Sequence, residues 1–99
     1  MALLVGERTN RARIQRLEKI IRADESVEAV GDLLTMQLGP DQVLLAVDVQ
    51  FQPELSVRQL ESIIDGIEAT IRKHEPAVVR VFIEADSLRA SQRPVSHVA

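Results

Sequence analysis

Glu84-Ala85-Asp86 is the pair of residues in this chain whose types and spacing could do chemistry. On a strand, residues two apart point to the same side. Both carboxylates could therefore reach one cation, and all-carboxylate ligation suits hard divalent ions better than zinc. Asp32 and Asp48 are further carboxylates on segments that read as strands, although spacing alone does not bring them together. The histidines are His74, at a helix end, and His97, in the last residues. His74 reads either as a cation suited to the helix dipole or as an extra metal ligand. With no cysteine, the chain has no thiol nucleophile, no disulfide and no Cys-based zinc framework. Its glycines, Gly6, Gly31, Gly39 and Gly66, are isolated and form no phosphate-binding loop. Phe51 and Phe82 are the only aromatics, too few for a base-stacking platform. These observations argue against an enzyme and against nucleic-acid binding.

Ninety-nine residues make one domain. Its core must be aliphatic. The net charge of −3 conceals an asymmetry. Arg8, Arg11, Arg13, Arg16, Lys19 and Arg22 outweigh Glu7 and Glu18 between residues 7 and 22, a local +4 that leaves −7 for the rest. Such a basic element suits a solvated helix face, an acidic partner or an anionic membrane surface. No apolar run approaches the roughly 20 residues that span a bilayer, and Ala2–Val5 is too short for a signal peptide.

The elements that must position these residues follow from periodicity. Ile14, Leu17, Ile20 and Ile21 recur at helical spacing and predict a helix from Asn10 to Ala23, capped by Thr9 or Asn10. Val27 to Leu38 reads as a strand, in which Gly31 marks a bulge or a close backbone approach. Gly39-Pro40-Asp41 predicts a turn. The next strand, Gln42 to Phe51, alternates cleanly, with Val43, Leu45, Val47, Val49 and Phe51 on its core face. A second helix, Val57 to Lys73, carries the stripe Leu60, Ile63, Ile64, Ile67 and Ile71, and Ser56 and Gln59 have capping-box spacing. Pro76 stops it. The last strand runs from Val78 to Glu84, with Val79, Val81 and Ile83 opposing Val78, Arg80, Phe82 and Glu84.

The hairpin followed by a helical crossover predicts an α+β, ferredoxin-like α-β-β-α-β fold: a three-stranded sheet with two helices on one face. Ala2–Val5 is a candidate for a further strand. The open edges and uncovered face favour a homodimer.

Three segments carry a family resemblance: Leu4-Val5-Gly6-Glu7 at the start, Leu34-Thr35-Met36-Gln37-Leu38-Gly39-Pro40 at the hairpin, and Val81-Phe82-Ile83-Glu84 at the end. In this order, from Leu3 to Asp86, the chain resembles the cytosolic C-terminal domain of cation diffusion facilitator transporters. The resemblance implies a regulatory, dimerising domain on the cytoplasmic face of a membrane antiporter for zinc, cobalt, iron or manganese. The transmembrane domain of the same transporter would be its partner. It divides the chain into a lead-in at 1–9 from a missing transmembrane domain and a dimerisation domain at 10–86, while residues 87–99, with little periodicity, read as a flexible tail. Histidines of the zinc-binding members align with Ala12, Gly31, Val47 and Glu84, and none is His here. Asp86 matches directly, with Glu84 as a substitute. That leaves a weak site at Glu84 and Asp86, a site that recruits His74, or a purely structural dimer. The alternative from another class is a stand-alone ferredoxin-like sensor of a small molecule. A metallochaperone would need a Cys-x-x-Cys that is absent.

Overall fold

The central strand sets the architecture. In β2 (Gln42–Phe51), Val43, Leu45, Val47, Val49 and Phe51 are all buried, while the residues between them are at least partly accessible. A computed structural model of the chain describes residues 3–86, with side chains from residue 11 onward. Its elements run α1 (Leu3–Arg22), β1 (Val27–Gly39), β2, α2 (Val57–His74) and β3 (Val78–Asp86). The sheet order is β1-β2-β3. β1 pairs antiparallel with β2, and β3 pairs parallel with β2. A parallel neighbour requires a crossover, which α2 supplies. This is the ferredoxin-like arrangement expected, with both helices on the core face of the sheet.

The core joins β2 to Leu17 and Ile21 of α1, Ile67 and Ile71 of α2, and Val78 of β3. Burying each such side chain contributes about 1.5–3 kcal/mol. The α2 stripe is the one predicted from spacing; in α1, Leu17, Ile20 and Ile21 pack in or against the core, whereas Ile14 does not join it. The capping box at the start of α2 is formed: the Gln59 N–H donates to Ser56 Oγ at 3.0 Å, and the Ser56 N–H donates to Gln59 Oε1 at 2.8 Å.

Three local expectations are corrected. α1 begins at Leu3, so Thr9 and Asn10 lie within the helix and do not cap it. Leu3, Leu4 and Val5 are helical as well, which rules out the extra strand there. In β3, Val78 faces the core with Val81 and Ile83, while Val79 is 44% exposed. The register explains this. Val78 partners Val43, and Arg80 partners Leu44, so Val79 is an extra residue that shifts the pleat. The tail expected at 87–99 lies outside the described residues.

Glu75 closes the structure. It caps α2, its backbone N–H donating to the Ile71 carbonyl at 2.7 Å, and its carbonyl accepts from the Val78 N–H at 2.9 Å as β3 begins. Its carboxylate is buried and accepts from both Arg13 and Arg16 of α1. These hydrogen bonds, Arg16 first, hold the Glu75 carboxyl below the usual glutamate range against the opposing effect of burial. Arg22 pairs with Glu18 within α1 at 2.8 Å.

A depressed folded pKa contributes stability that is complete above the unfolded value and lost as pH falls through the folded one. Urea unfolding at stepped pH should therefore show stability declining as the medium is acidified through and below the ordinary glutamate range. Glu75→Gln should flatten this decline and cost about 1–2 kcal/mol at neutral pH, the value of a charge-assisted hydrogen bond discounted for the half-exposed Arg16. Equal stability of variant and parent would show that the junction is not held by this carboxylate.

Candidate metal centre

The alternation that buries Val47 and Val49 turns Asp48 to the opposite face of β2, which no helix covers. The parallel register then sets Glu84 beside Asp48 and Asp86 beside Gln50. Asp48, Glu84 and Asp86 each offer one oxygen, and the three oxygens lie within 4.8 Å of one another. Across the sheet, Gly31 lies over Asp48: a Cβ added at Gly31 would come 3.2 Å from the Asp48 Cβ. The close backbone approach expected at Gly31 is thus an approach to this site, made where β1 shifts register between Val30 and Leu33.

Three carboxylates at this spacing repel one another. The Glu84 carboxyl is held above its ordinary pKa, first by a hydrogen bond shared with Asp48, then by the charges of Asp48 and Asp86. A bound cation would relieve that repulsion, because it favours the charged form of every ligand. The donors are all oxygens and only partly buried, which leaves coordination positions for water. That chemistry fits a hard divalent ion, such as manganese or magnesium, better than the nitrogen and sulfur ligation typical of zinc. The cluster is thus a potential divalent-metal site. Beside it is an open concavity of about 340 Å³ whose lining includes Asp32, Leu34, Ala46 and Phe82.

Of the ligands named from sequence, Glu84 and Asp86 come together in this cluster. His74 does not join it. It ends α2, at the other end of β3 from Glu84 and Asp86. His97 lies outside the described residues. Asp32 lines the concavity but is not one of the converging three. Asp48, flagged only as a carboxylate on a nearby strand, supplies the third oxygen. The position aligned with a family histidine, Val47, is buried in the core and cannot reach the site. Its neighbour Asp48 faces the site instead.

Residues 10–88 match the family model described as cation efflux protein, cytoplasmic domain. The chain belongs to this family. Solved structures with the same fold include three single-substitution variants of MamM CTD, each in a metal form. A cadmium form has a TM-score of 0.71 at 17% identity, covering 79% of this chain and 96% of that one. A nickel form has a TM-score of 0.71 at 17% identity, covering 78% and 96%. A manganese form has a TM-score of 0.70 at 18% identity, again covering 78% and 96%. No curated protein matches the chain. As a cation efflux cytoplasmic domain, it is a non-catalytic regulatory and dimerisation module of a divalent-cation transporter. Among its described residues, no helix is long and apolar enough to cross a membrane.

Removing the Asp48 carboxylate should let the Glu84 pKa fall toward its ordinary value. Carboxyl carbon NMR titration of Asp48→Ala reads this directly. An unmoved Glu84 titration would show that Asp48 is not the cause of the shift.

Proposed function

We propose that this cytoplasmic domain couples cation level to the efflux protein through a weak site for a hard divalent cation at Asp48, Glu84 and Asp86. The convergence of three mutually repelling carboxylates on an uncovered sheet face carries this reading. The MamM CTD structures in manganese, nickel and cadmium forms support it by analogy of fold. The absence of nitrogen and sulfur donors from the cluster sets manganese ahead of iron, zinc and cobalt. The exposed apolar ridge Leu34, Met36 and Leu38 on β1 offers a second copy a surface on the same side of the sheet. Cation binding beside that ridge would lower the charge repulsion between two acidic faces brought together.

The transmembrane part of the same transporter is the partner through which this state would act. An anionic membrane surface is a second partner for the basic face of α1, which Arg11 and Lys19 would meet. Of the bases that would face it, Arg13 and Arg16 are held by Glu75, and Arg22 by Glu18.

Calorimetry should detect manganese binding that weakens at least about tenfold in Asp48→Asn, Glu84→Gln or Asp86→Asn, as expected for losing one of three charged ligands. Affinity should fall as pH is lowered, starting above the range of an unperturbed glutamate, because Glu84 holds its proton to higher pH. Heat unchanged in all three variants would remove the cluster from any site. Sedimentation across concentrations should show a dimer that Met36→Ser weakens. A strict monomer at high micromolar concentration, with and without manganese, would refute the dimer surface.

A further inference from the structure

β1 and β3 are the two edges of the sheet, and they are not equally protected. Bulges, proline and lysine are the usual means of keeping an edge strand from pairing with another chain. β1 shifts register against β2 at three places, one of them across Gly31. β3 shifts once, at Val79, and then keeps one register from Arg80 to Asp86 against Leu44 to Gln50. No proline or lysine interrupts it. Its outer edge presents a regular row of backbone N–H and C=O groups that no strand among the described residues takes up.

The side chains along that edge are self-complementary. Arg80, Phe82 and Glu84 share the uncovered face of the sheet, because they sit beside Leu44, Ala46 and Asp48 of β2. All three are exposed, Phe82 by 55%. Arg80 and Glu84 form no ion pair among the described residues. They cannot neutralise each other within one chain, since four residues along a strand span about 13 Å. Across an antiparallel pair, residues directly opposite each other meet on one face. A two-fold axis at Phe82 therefore sets Arg80 opposite Glu84 of a second copy, twice, and sets Phe82 against its own counterpart. On the core face the same register pairs Val81 with Ile83 of the second copy. Both pack against the core yet remain only half-buried at the edge. An axis at Ile83 would set Phe82 against Glu84, and one at Val81 would set Glu84 against Val78. An axis between residues would oppose side chains from different faces, which the pleat forbids.

We propose that β3 pairs antiparallel with β3 of a second copy about a two-fold axis at Phe82, joining the two sheets edge to edge. The result is one six-stranded sheet with the helices of both copies on one face. The contact is isologous and by itself stops at two copies. It lies on the opposite edge of the sheet from the β1 ridge and depends neither on that contact nor on the metal reading. An edge of this length buries little area, so the contact is weak between free domains. It strengthens where two copies are already held together, through the effective concentration that tethering supplies.

The test uses the full chain carrying Met36→Ser, so that the ridge contact does not mask the edge. Sedimentation from low micromolar to millimolar concentration, in chelator, should show a reversible dimer. Arg80→Glu and Glu84→Arg, both at exposed positions, should each weaken it about tenfold, the effect of turning two attractive cross-strand pairs repulsive. An equimolar mixture of the two variants should recover the lost affinity, because each chain then meets its complement. Amide exchange should slow at alternate residues from Val81 to Ala85 as concentration rises. A strict monomer at millimolar concentration would overturn the proposal. So would a mixture that associates no better than either variant alone, which would assign the loss to local disturbance of β3. Protection of β3 that persists on dilution would overturn it too, since the edge would then be covered within one chain. The chelator excludes metal, so none of these outcomes depends on the cation site.

Discussion

A strand of period two cannot present its polar and apolar residues independently, and β2 uses this constraint throughout. Its odd-numbered residues from Val43 to Phe51 are committed to the core between sheet and helices. Whatever lies between them must then face outward, on the side no helix covers. Asp48 is fixed there by Val47 and Val49, and the parallel register of β3 sets Glu84 next to it. A slip of one residue would send the carboxylates into the core and the valines to the surface. The energy that holds the fold also places the three carboxylates, which need no dedicated scaffold of their own.

Glu75 applies a second constraint at the far end of the molecule. Its backbone closes α2 and admits β3, while its carboxylate takes Arg13 and Arg16 from α1. Both helices and the third strand are thus referred to one residue. Within the described residues, α1 is the element that leads into the fold, and its orientation relative to the sheet is tied to this junction. The arrangement also changes the meaning of the basic helix. What composition presents as a positive stripe open to outside partners is partly an internal counter-charge.

The order of elements, the core face of β2, the stripe of α2 and its capping box were all legible, because each depends on residues close in sequence. Glu84 and Asp86 were legible for the same reason: a strand puts residues two apart on one side. Asp48 was not assigned, because its place beside Glu84 depends on the pairing of two strands separated by a whole helix. The extra residue at Val79 was hidden as well, since four consecutive apolar or mixed residues fit either phase of the alternation until the partner strand chooses one. The contact of Glu75 with Arg16 spans 59 residues and left no local trace. Thr9 and Asn10 are good caps by type and so predict a later start for α1, yet a helix already under way passes through them.

The missing histidines take on a different sense in this geometry. At one of the aligned positions, Gly31, a Cβ would meet the Asp48 Cβ at 3.2 Å, so a larger side chain there requires Asp48 to give by a few tenths of an ångström. Another, Val47, belongs to the core. Restoring either histidine would therefore disturb packing or the carboxylate beside it. The chain instead gathers its donors where β2 and β3 run side by side, and all of them are oxygens. Oxygen donors that repel one another bind weakly and prefer hard ions. An occupancy that changes with cation level requires weak binding, because a site saturated at trace concentrations would report nothing. An oxygen-only site of the kind proposed is therefore suited to report cation at higher concentration.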